Sequence, residues 1–471
     1  MKHIVILGGG ISGLTAAYDL ARWKDQSGKP VEISLLESSD RLGGVIESVR
    51  GDGFVAEGGP DCFISEKPAA LELCRELGLE SDVIGTSPEN QRSFVFYRGK
   101  LFPIPEGFYL VAPVRPRSLL ELPFISWPGK FRMALEPFLP PRKSPGDESI
   151  GNFIRRRFGD ETFLKVGQPM MSAMYGGDVD RLSLEAAFPR FKLLEEKYGS
   201  IVRALRKIKA GSSQAERTAS GPRYSLFLTL KNGLEALPEL LVKKMSGQVR
   251  LHLRAEAVSA ARGEKGWDIR LKDGRRMEAE GLCVALPAPA AARLFEAGLP
   301  GLARQLGEIE YESVVTVSMI FRRGDIPSQL AGFGFVVPAL EKRRAIGCTF
   351  STWKFPGRTR EDLFGLRLFL GGYQNPGFHE LSDDVIDKLS LEELKVMTGI
   401  GATPVVTCIR RYPASMPQYH VGHLGRVTAI EKTAEKYPGL FLTGNAYRGL
   451  GVPDCIRQAR EAARKITGLL S

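Results

Sequence analysis

A chain of 471 residues is too long for one ordinary core and long enough for two interleaved domains. With 43% hydrophobic and 25% charged residues and no run of eighteen apolar ones, its composition excludes both a disordered polymer and a bundle of membrane-spanning helices. Lys and Arg outnumber Asp and Glu by 65 to 54, a formal charge of +11 that favours anionic partners without choosing among nucleic acid, anionic lipid and a polycarboxylate.

The basic start and the apolar residues 4–7 have the look of a short secretory leader, but three glycines interrupt them and Asp19 and Arg22 follow within one helix length. Residues 4–7 read instead as a β-strand, 14–23 as a helix and 31–36 as a second strand, which makes a βαβ unit. Between strand and helix, Gly8-Gly9-Gly10-Ile11-Ser12-Gly13 satisfies Gly-x-Gly-x-x-Gly, and Glu37 closes the second strand at the distance expected of a ribose-binding acid. Gly8 permits the tight turn, Gly10 admits a pyrophosphate to the backbone, and Gly13 lets the helix lie on the strand, whose neighbouring amides attract negative charge.

Residues 103–145 are proline-rich with broken helical patterns, and 149–209 read as helices. The basic clusters there, Arg155, Arg156 and Arg157, then Arg203, Arg206, Lys207 and Lys209, belong to no nucleic-acid motif and read as solvated helix faces, so no nucleic-acid partner is expected. Residues 210–222 are polar, small and aperiodic, the pattern of a mobile surface loop. Strand patterns recur at 282–286, 314–321, 334–337, 366–370 and 440–443, and a helix is predicted from about 454 to 469. The six cysteines form no Cys-x-x-Cys pair, which leaves no zinc or thioredoxin-like site and fits reduced thiols in a cytoplasmic protein. The predicted architecture is α/β, with a discontinuous Rossmann-like domain from 1–88, 223–295 and 405–471. A helical insertion over 89–222 and a substrate-binding mixed sheet over 296–404 complete it.

Beyond Glu37 the chain runs Ser38-Ser39-Asp40-Arg41-Leu42-Gly43-Gly44, and this Arg-x-Gly-Gly resembles the FAD signature of the flavin amine oxidase superfamily. Glu57-Gly58-Gly59-Pro60 is similar to that superfamily's turn beside the flavin ring. The segment from Gly449 to Asp454 leads into the last helix, whose N-terminus would favour a reduced flavin anion. Three further segments, Met174-Tyr175-Gly176-Gly177-Asp178-Val179-Asp180-Arg181-Leu182-Ser183, Met416-Pro417-Gln418-Tyr419-His420-Val421-Gly422-His423 and Gly444 to Ile456, narrow the resemblance to the protoporphyrinogen and coproporphyrinogen oxidases.

That resemblance implies non-covalent FAD held by Gly8, Gly9, Gly10, Ile11, Ser12, Gly13, Glu37, Ser38, Arg41, Gly44 and Val45. It adds Gly59, Pro60, Asp61, Val258, Tyr412, Gly444, Leu450, Gly451 and Val452. It implies six-electron oxidation of a porphyrinogen with molecular oxygen as acceptor and hand-over to a ferrochelatase; a soluble cytoplasmic enzyme is expected, with peripheral membrane contact through the proline-rich helical insertion as the alternative. Ser93 stands where the protoporphyrinogen branch has a propionate-binding arginine, and Arg92 replaces it only if the strand slips by one residue. The pattern therefore leans to the coproporphyrinogen branch, where Lys67 and Met174 take pocket-lining positions; a surface lysine and a core methionine are the alternatives. Tyr412 replaces a family tryptophan, and His420 and His423 read as structural, since hydride abstraction needs no strong base. No catalytic side chain and no metal ligand is assigned. Two rivals share the fold: other amine-oxidase relatives, and a non-catalytic prenyl-protein-binding protein, which a flavin spectrum excludes.

Overall fold

The computed structural model describes residues 1–211, 226–264 and 266–470. A five-stranded parallel sheet runs in the order Arg250–His252, Val31–Leu36, Lys2–Leu7, Gly281–Val284 and Leu440–Leu442, so one sheet draws on the beginning, middle and end of the chain. Alternation along Lys2–Leu7 explains the two layers that cover it. Ile4 and Ile6 pack toward the helices Ile11–Ser27, Ala236–Lys244 and Val452–Leu470. Val5 and Leu7 face a second core that holds Trp267 of a three-stranded antiparallel sheet and the helices Ala288–Phe295, Pro300–Gly307 and His423–Ala434.

A seven-stranded mixed sheet runs Val406–Pro417, Tyr311–Arg322, Leu363–Gly371, Ala345–Thr349, Gly334–Val336, Ser93–Tyr97 and Lys100–Pro103. Helix Asp383–Thr398 covers one of its faces through Ile386, Leu394 and Met397. The helical layer, with Ile150–Phe158, Gln168–Tyr175, Pro189–Tyr198 and Ile201–Gly211, builds its own core around Phe153, Phe158 and Phe191.

Several segments sit on the other side of the boundaries expected from sequence. Strand Val406–Pro417 lies at the edge of the seven-stranded sheet, and Ser93–Tyr97 and Lys100–Pro103 belong to that sheet and not to the helical layer. Helix Pro300–Gly307 packs with the nucleotide sheet through Leu302 and Leu306. The reason is long-range strand pairing, which overrides proximity in the chain. Residues 155–157 are not a solvated face either. Arg157 is fully buried, pairs with Glu136 and lies 3.4 Å from Glu195, while Arg156 bridges Glu148 and Glu195 at 2.5 Å each. Of the aperiodic stretch 210–222, residues 210 and 211 close a helix; 212–222, like the Lys209 side chain, lie outside the described residues.

Candidate functional site

The carboxyl ends of the parallel strands open into a cavity of about 500 Å³ that continues to the seven-stranded sheet. Its first end is the glycine turn. A β-carbon at Gly13 would collide with the Gly8 carbonyl oxygen, so only glycine lets the helix approach the strand this closely. No side chain caps the helix at Gly10, which leaves the first-turn amides to an anionic group. The Glu37 carboxylate accepts from the Gly9 amide at 2.7 Å and the Ser39 amide at 2.8 Å, and these two bonds fix it at the end of its strand.

The Arg41–Gly44 turn lies directly on this loop. The Gly43 amide donates to the Gly9 carbonyl at 2.8 Å, and Gly44, at φ 60°, holds its Cα where an added β-carbon would come within 3.1 Å of Gly10. Arg41 clips the turn from behind by donating to the Gly44 and Ile46 carbonyls at 2.6 and 2.7 Å and to Glu235 at 3.0 Å.

Of the positions expected at the cofactor, Gly8, Gly10, Ile11, Ser12, Glu37, Ser38, Gly44, Val45, Gly59, Pro60, Tyr412, Gly444, Leu450, Gly451 and Val452 line this one cavity. Met174, expected at the substrate, lines it too. Gly9, Gly13, Arg41, Asp61, Val258 and Lys67 lie off its wall. Val258 is 44% exposed on the strand Ala257–Arg262. Lys67 pairs at 2.5 Å with Asp454, which sits in the first turn of the last helix. A dinucleotide fits these residues: a glycine turn with open amides, a fixed acid and a second helix start at Val452 face one continuous space.

Toward the seven-stranded sheet the cavity is walled by Met174, Ile346, Phe369 and Met416, with Thr316 and Arg367 among its polar members. These two were missed from sequence, although a threonine and an arginine set among apolar strand residues were a readable signal. Both are at least nine-tenths buried. Thr316 donates to the Gly58 carbonyl at 2.7 Å, and Arg367 donates to the Gly59 carbonyl, so the two side chains hold the Gly58-Gly59-Pro60 turn against the sheet. Residues 285–287, also unanticipated, line the cavity where the strand Gly281–Val284 ends, the usual location of a site on such a sheet.

Behind the turn, Asp61 lies 2.9 Å from Lys354 and 3.6 Å from Arg367. Burial alone would raise its carboxyl pKa, but the two cations hold it well below the ordinary carboxylate range. Burial and the Asp61 charge push the Cys62 thiol up to about 12, and burial with Glu47 pushes the Tyr412 hydroxyl up to about 12. Both groups on the wall are therefore neutral at ordinary pH.

His423 stacks on Tyr419 with ring centroids 3.9 Å apart, and its Nε2 lies 2.9 Å from the Tyr447 carbonyl. His420 lies 3.5 Å from Glu310. Neither histidine lines the cavity. The segments 174–183 and 416–423 pack on one another, the Ser183 amide donating to the Tyr419 carbonyl at 2.7 Å and the Val421 amide to the Arg181 carbonyl at 2.9 Å. Ser93 opens its strand, with Phe94 paired to Phe335, and Arg92 is exposed outside the cavity.

The family of flavin containing amine oxidoreductases matches residues 11–467. The coproporphyrinogen III oxidase of Bacillus subtilis is 33% identical over 462 residues, spanning 98% of this chain and 97% of that protein. The protoporphyrinogen oxidase of Homo sapiens is 31% identical over 491 residues, spanning 99% and 98%. The Exiguobacterium sp. 255-15 structure named as a protoporphyrinogen oxidase superposes with a TM-score of 0.86 at 29% identity, over 99% of this chain and 98% of that one.

Proposed function

The chain belongs to the flavin containing amine oxidoreductases, and from that premise we propose that it is a porphyrinogen oxidase that converts coproporphyrinogen III to coproporphyrin III. Protoporphyrinogen IX is the alternative substrate, because oxidases named for it match the chain over the same length. FAD is held non-covalently, and when bound it supplies the hydride acceptor. Three two-electron oxidations of the porphyrinogen consume three molecules of oxygen and release three of hydrogen peroxide.

The observation that carries this reading is the continuity of the cavity from the glycine turn to the apolar wall by the seven-stranded sheet. Within it, Gly8 to Ser12 and Glu37 bind the dinucleotide, and the Gly59–Pro60 turn, pinned by Thr316 and Arg367, forms a rigid wall for its ring. Met174, Ile346, Phe369 and Met416 exclude water and orient the flat substrate. No side chain has to act as a base: the groups nearest in chemistry, Cys62 and Tyr412, stay protonated. Gly9, Gly13 and Arg41 serve the cofactor by shaping the turn, and Asp61 by ordering the cations behind it. Lys67 serves the substrate from the rim beside Asp454.

No described helix is long and apolar enough to cross a membrane. The reading includes a cytoplasmic enzyme with peripheral membrane contact that hands its product to a ferrochelatase. Porphyrin fluorescence, followed for both porphyrinogens with FAD-replete protein under the same oxygen and detergent, tests the substrate. A higher kcat/KM is expected for coproporphyrinogen III, which carries four carboxylates against two, and Lys67→Glu is expected to lower it. A clear preference for protoporphyrinogen IX overturns the substrate choice, and failure with both overturns the reaction.

A further inference from the structure

Residues 416–423 leave the cavity wall after Met416, yet Gln418, Tyr419 and His423 are at most 2% exposed. Polar side chains buried this deeply need partners, and these three find theirs on two different sides of the cavity. The Tyr419 hydroxyl donates to the Asn445 carbonyl at 2.6 Å and accepts from the Gly449 amide at 3.1 Å, so one oxygen closes both ends of residues 445–449. Burial holds that hydroxyl well above its ordinary pKa, and it keeps the proton it donates. His423 lies flat on the Tyr419 ring, and its Nε2 donates to the Tyr447 carbonyl, which can only accept, in the middle of the same loop. Gly444 and Asn445 before the loop's centre and Leu450, Gly451 and Val452 after it line the cavity. The Tyr419 hydroxyl therefore aims the start of the helix Val452–Leu470 at the space assigned to the cofactor.

Gln418 reaches the other way. Its Nε2 donates to the Tyr175 carbonyl at 2.9 Å and to the Met416 carbonyl at 3.0 Å. Tyr175 ends the helix Gln168–Tyr175, which carries Met174, and Gly176 beyond it lines the cavity as well. A β-carbon at Gly177 would collide with the Gln418 amide, so this turn and this side chain fit together only with glycine there. The link is itself anchored, the Gln418 backbone amide donating to the Glu310 carbonyl at 2.9 Å. Two adjacent buried residues thus tie the wall that holds Met174 to the loop that leads into Val452. Such a tie matters because a misplacement of about 1 Å between reacting groups costs on the order of a hundredfold in rate.

We propose that Gln418 and Tyr419 are positioning residues that set the substrate wall in register with the cofactor loop, Tyr419 governing the cofactor side and Gln418 the substrate side. The assignment rests on the reading of the cavity as an FAD and porphyrinogen site. Tyr419→Phe keeps the ring and its stack on His423 and removes only the hydroxyl. FAD titration of the deflavinated variant should give a Kd raised about tenfold. The helix start favours negative charge, so reduced FAD should lose about ten times more affinity than oxidised FAD, a midpoint potential about 30 mV lower against a reference dye. His423→Phe, which drops the Tyr447 bond, should move the potential the same way and stands in if Tyr419→Phe does not fold. Gln418→Met keeps the length of the side chain but donates nothing; it should raise the porphyrinogen KM about tenfold while the FAD Kd and the potential stay unchanged. Gly177→Ala, which displaces the Gln418 amide, should reproduce that pattern. If the unaltered protein binds no FAD or oxidises neither porphyrinogen, the functional reading fails. If it does both, an unchanged Kd and potential in the folded Tyr419 or His423 variant overturn the cofactor half of the proposal alone. An unchanged KM in Gln418→Met and Gly177→Ala, or a potential shifted as far as in Tyr419→Phe, overturns the substrate half.

Discussion

Replacing Glu37 by Ala should weaken FAD binding without unfolding the nucleotide domain. The carboxylate is part-exposed at the end of Val31–Leu36 and accepts the Gly9 and Ser39 amides at 2.7 and 2.8 Å, with the Ser38 hydroxyl 3.2 Å away. Those contacts aim it without using all of its acceptor capacity, which leaves room for sugar hydroxyls. A hydrogen bond to a charged group contributes about 1.5–3 kcal/mol, so losing the ribose contact should raise Kd by about ten- to a hundred-fold. The turn at Gly8 to Ser12, proposed as the phosphate cradle, remains, and some flavin should still bind. Glu37→Gln should not rescue fully, because an amide NH₂ offered to either the Gly9 or the Ser39 amide opposes a donor with a donor. The measurement is titration of deflavinated protein with FAD by quenching of flavin fluorescence, with thermal unfolding of the apoprotein as control. A Kd within twofold of the unaltered protein in Glu37→Ala would refute the assignment of this acid to the cofactor.

Gly13→Val should yield protein almost free of flavin, because a side chain there strikes the Gly8 carbonyl and displaces the helix proposed to hold the pyrophosphate; the absorbance ratio of flavin to protein after purification measures this. Lys354→Met removes the nearer of the two cations that hold the Asp61 carboxyl low. A depressed carboxyl contributes stability that is present above its unfolded pKa and lost as pH falls through the folded one, so the acid-unfolding midpoint of this variant should move to higher pH. His423 is pushed down to about 4, mainly by burial, from an ordinary value of 6.5. It is neutral in the folded protein while the unfolded chain takes up a proton, so stability should fall between pH 6.5 and 4 by about 3 kcal/mol and level off below. Urea unfolding across that window should show a flatter pH profile for His423→Gln, and an identical slope in both proteins would remove His423 as the cause.

How much of this was readable in the chain follows the range of the interactions. The glycine turn and Glu37 were legible because strand, turn, helix and acid all fall within residues 4–37, and the structure brings them together as expected. The wall toward the seven-stranded sheet was only half legible. Thr316 and Arg367 reach the Gly58-Gly59-Pro60 turn across more than two hundred and fifty residues, a contact set by sheet register and not by any local pattern. The same cause misplaced residues 405–417, whose strand pairs with Tyr311–Arg322. Arg157 misled for a different reason: three consecutive arginines look like a solvent face, yet successive helix positions point about 100° apart. One of the three had to face inward, and Glu136 and Glu195 wait there for it.

The parallel sheet has a consequence for the order in which the protein can be made. Its strands appear at residues 2–7, 31–36, 250–252, 281–284 and 440–442, and Gly444 and residues 450–452 complete the cavity only after the last of them. During synthesis the glycine turn leaves the ribosome first and stands for nearly all of translation beside a sheet that lacks at least one of its strands. Flavin capture must then wait for the finished chain, and an early stop that removes only the final thirty residues should be as damaging to cofactor retention as a lesion in the glycine turn itself.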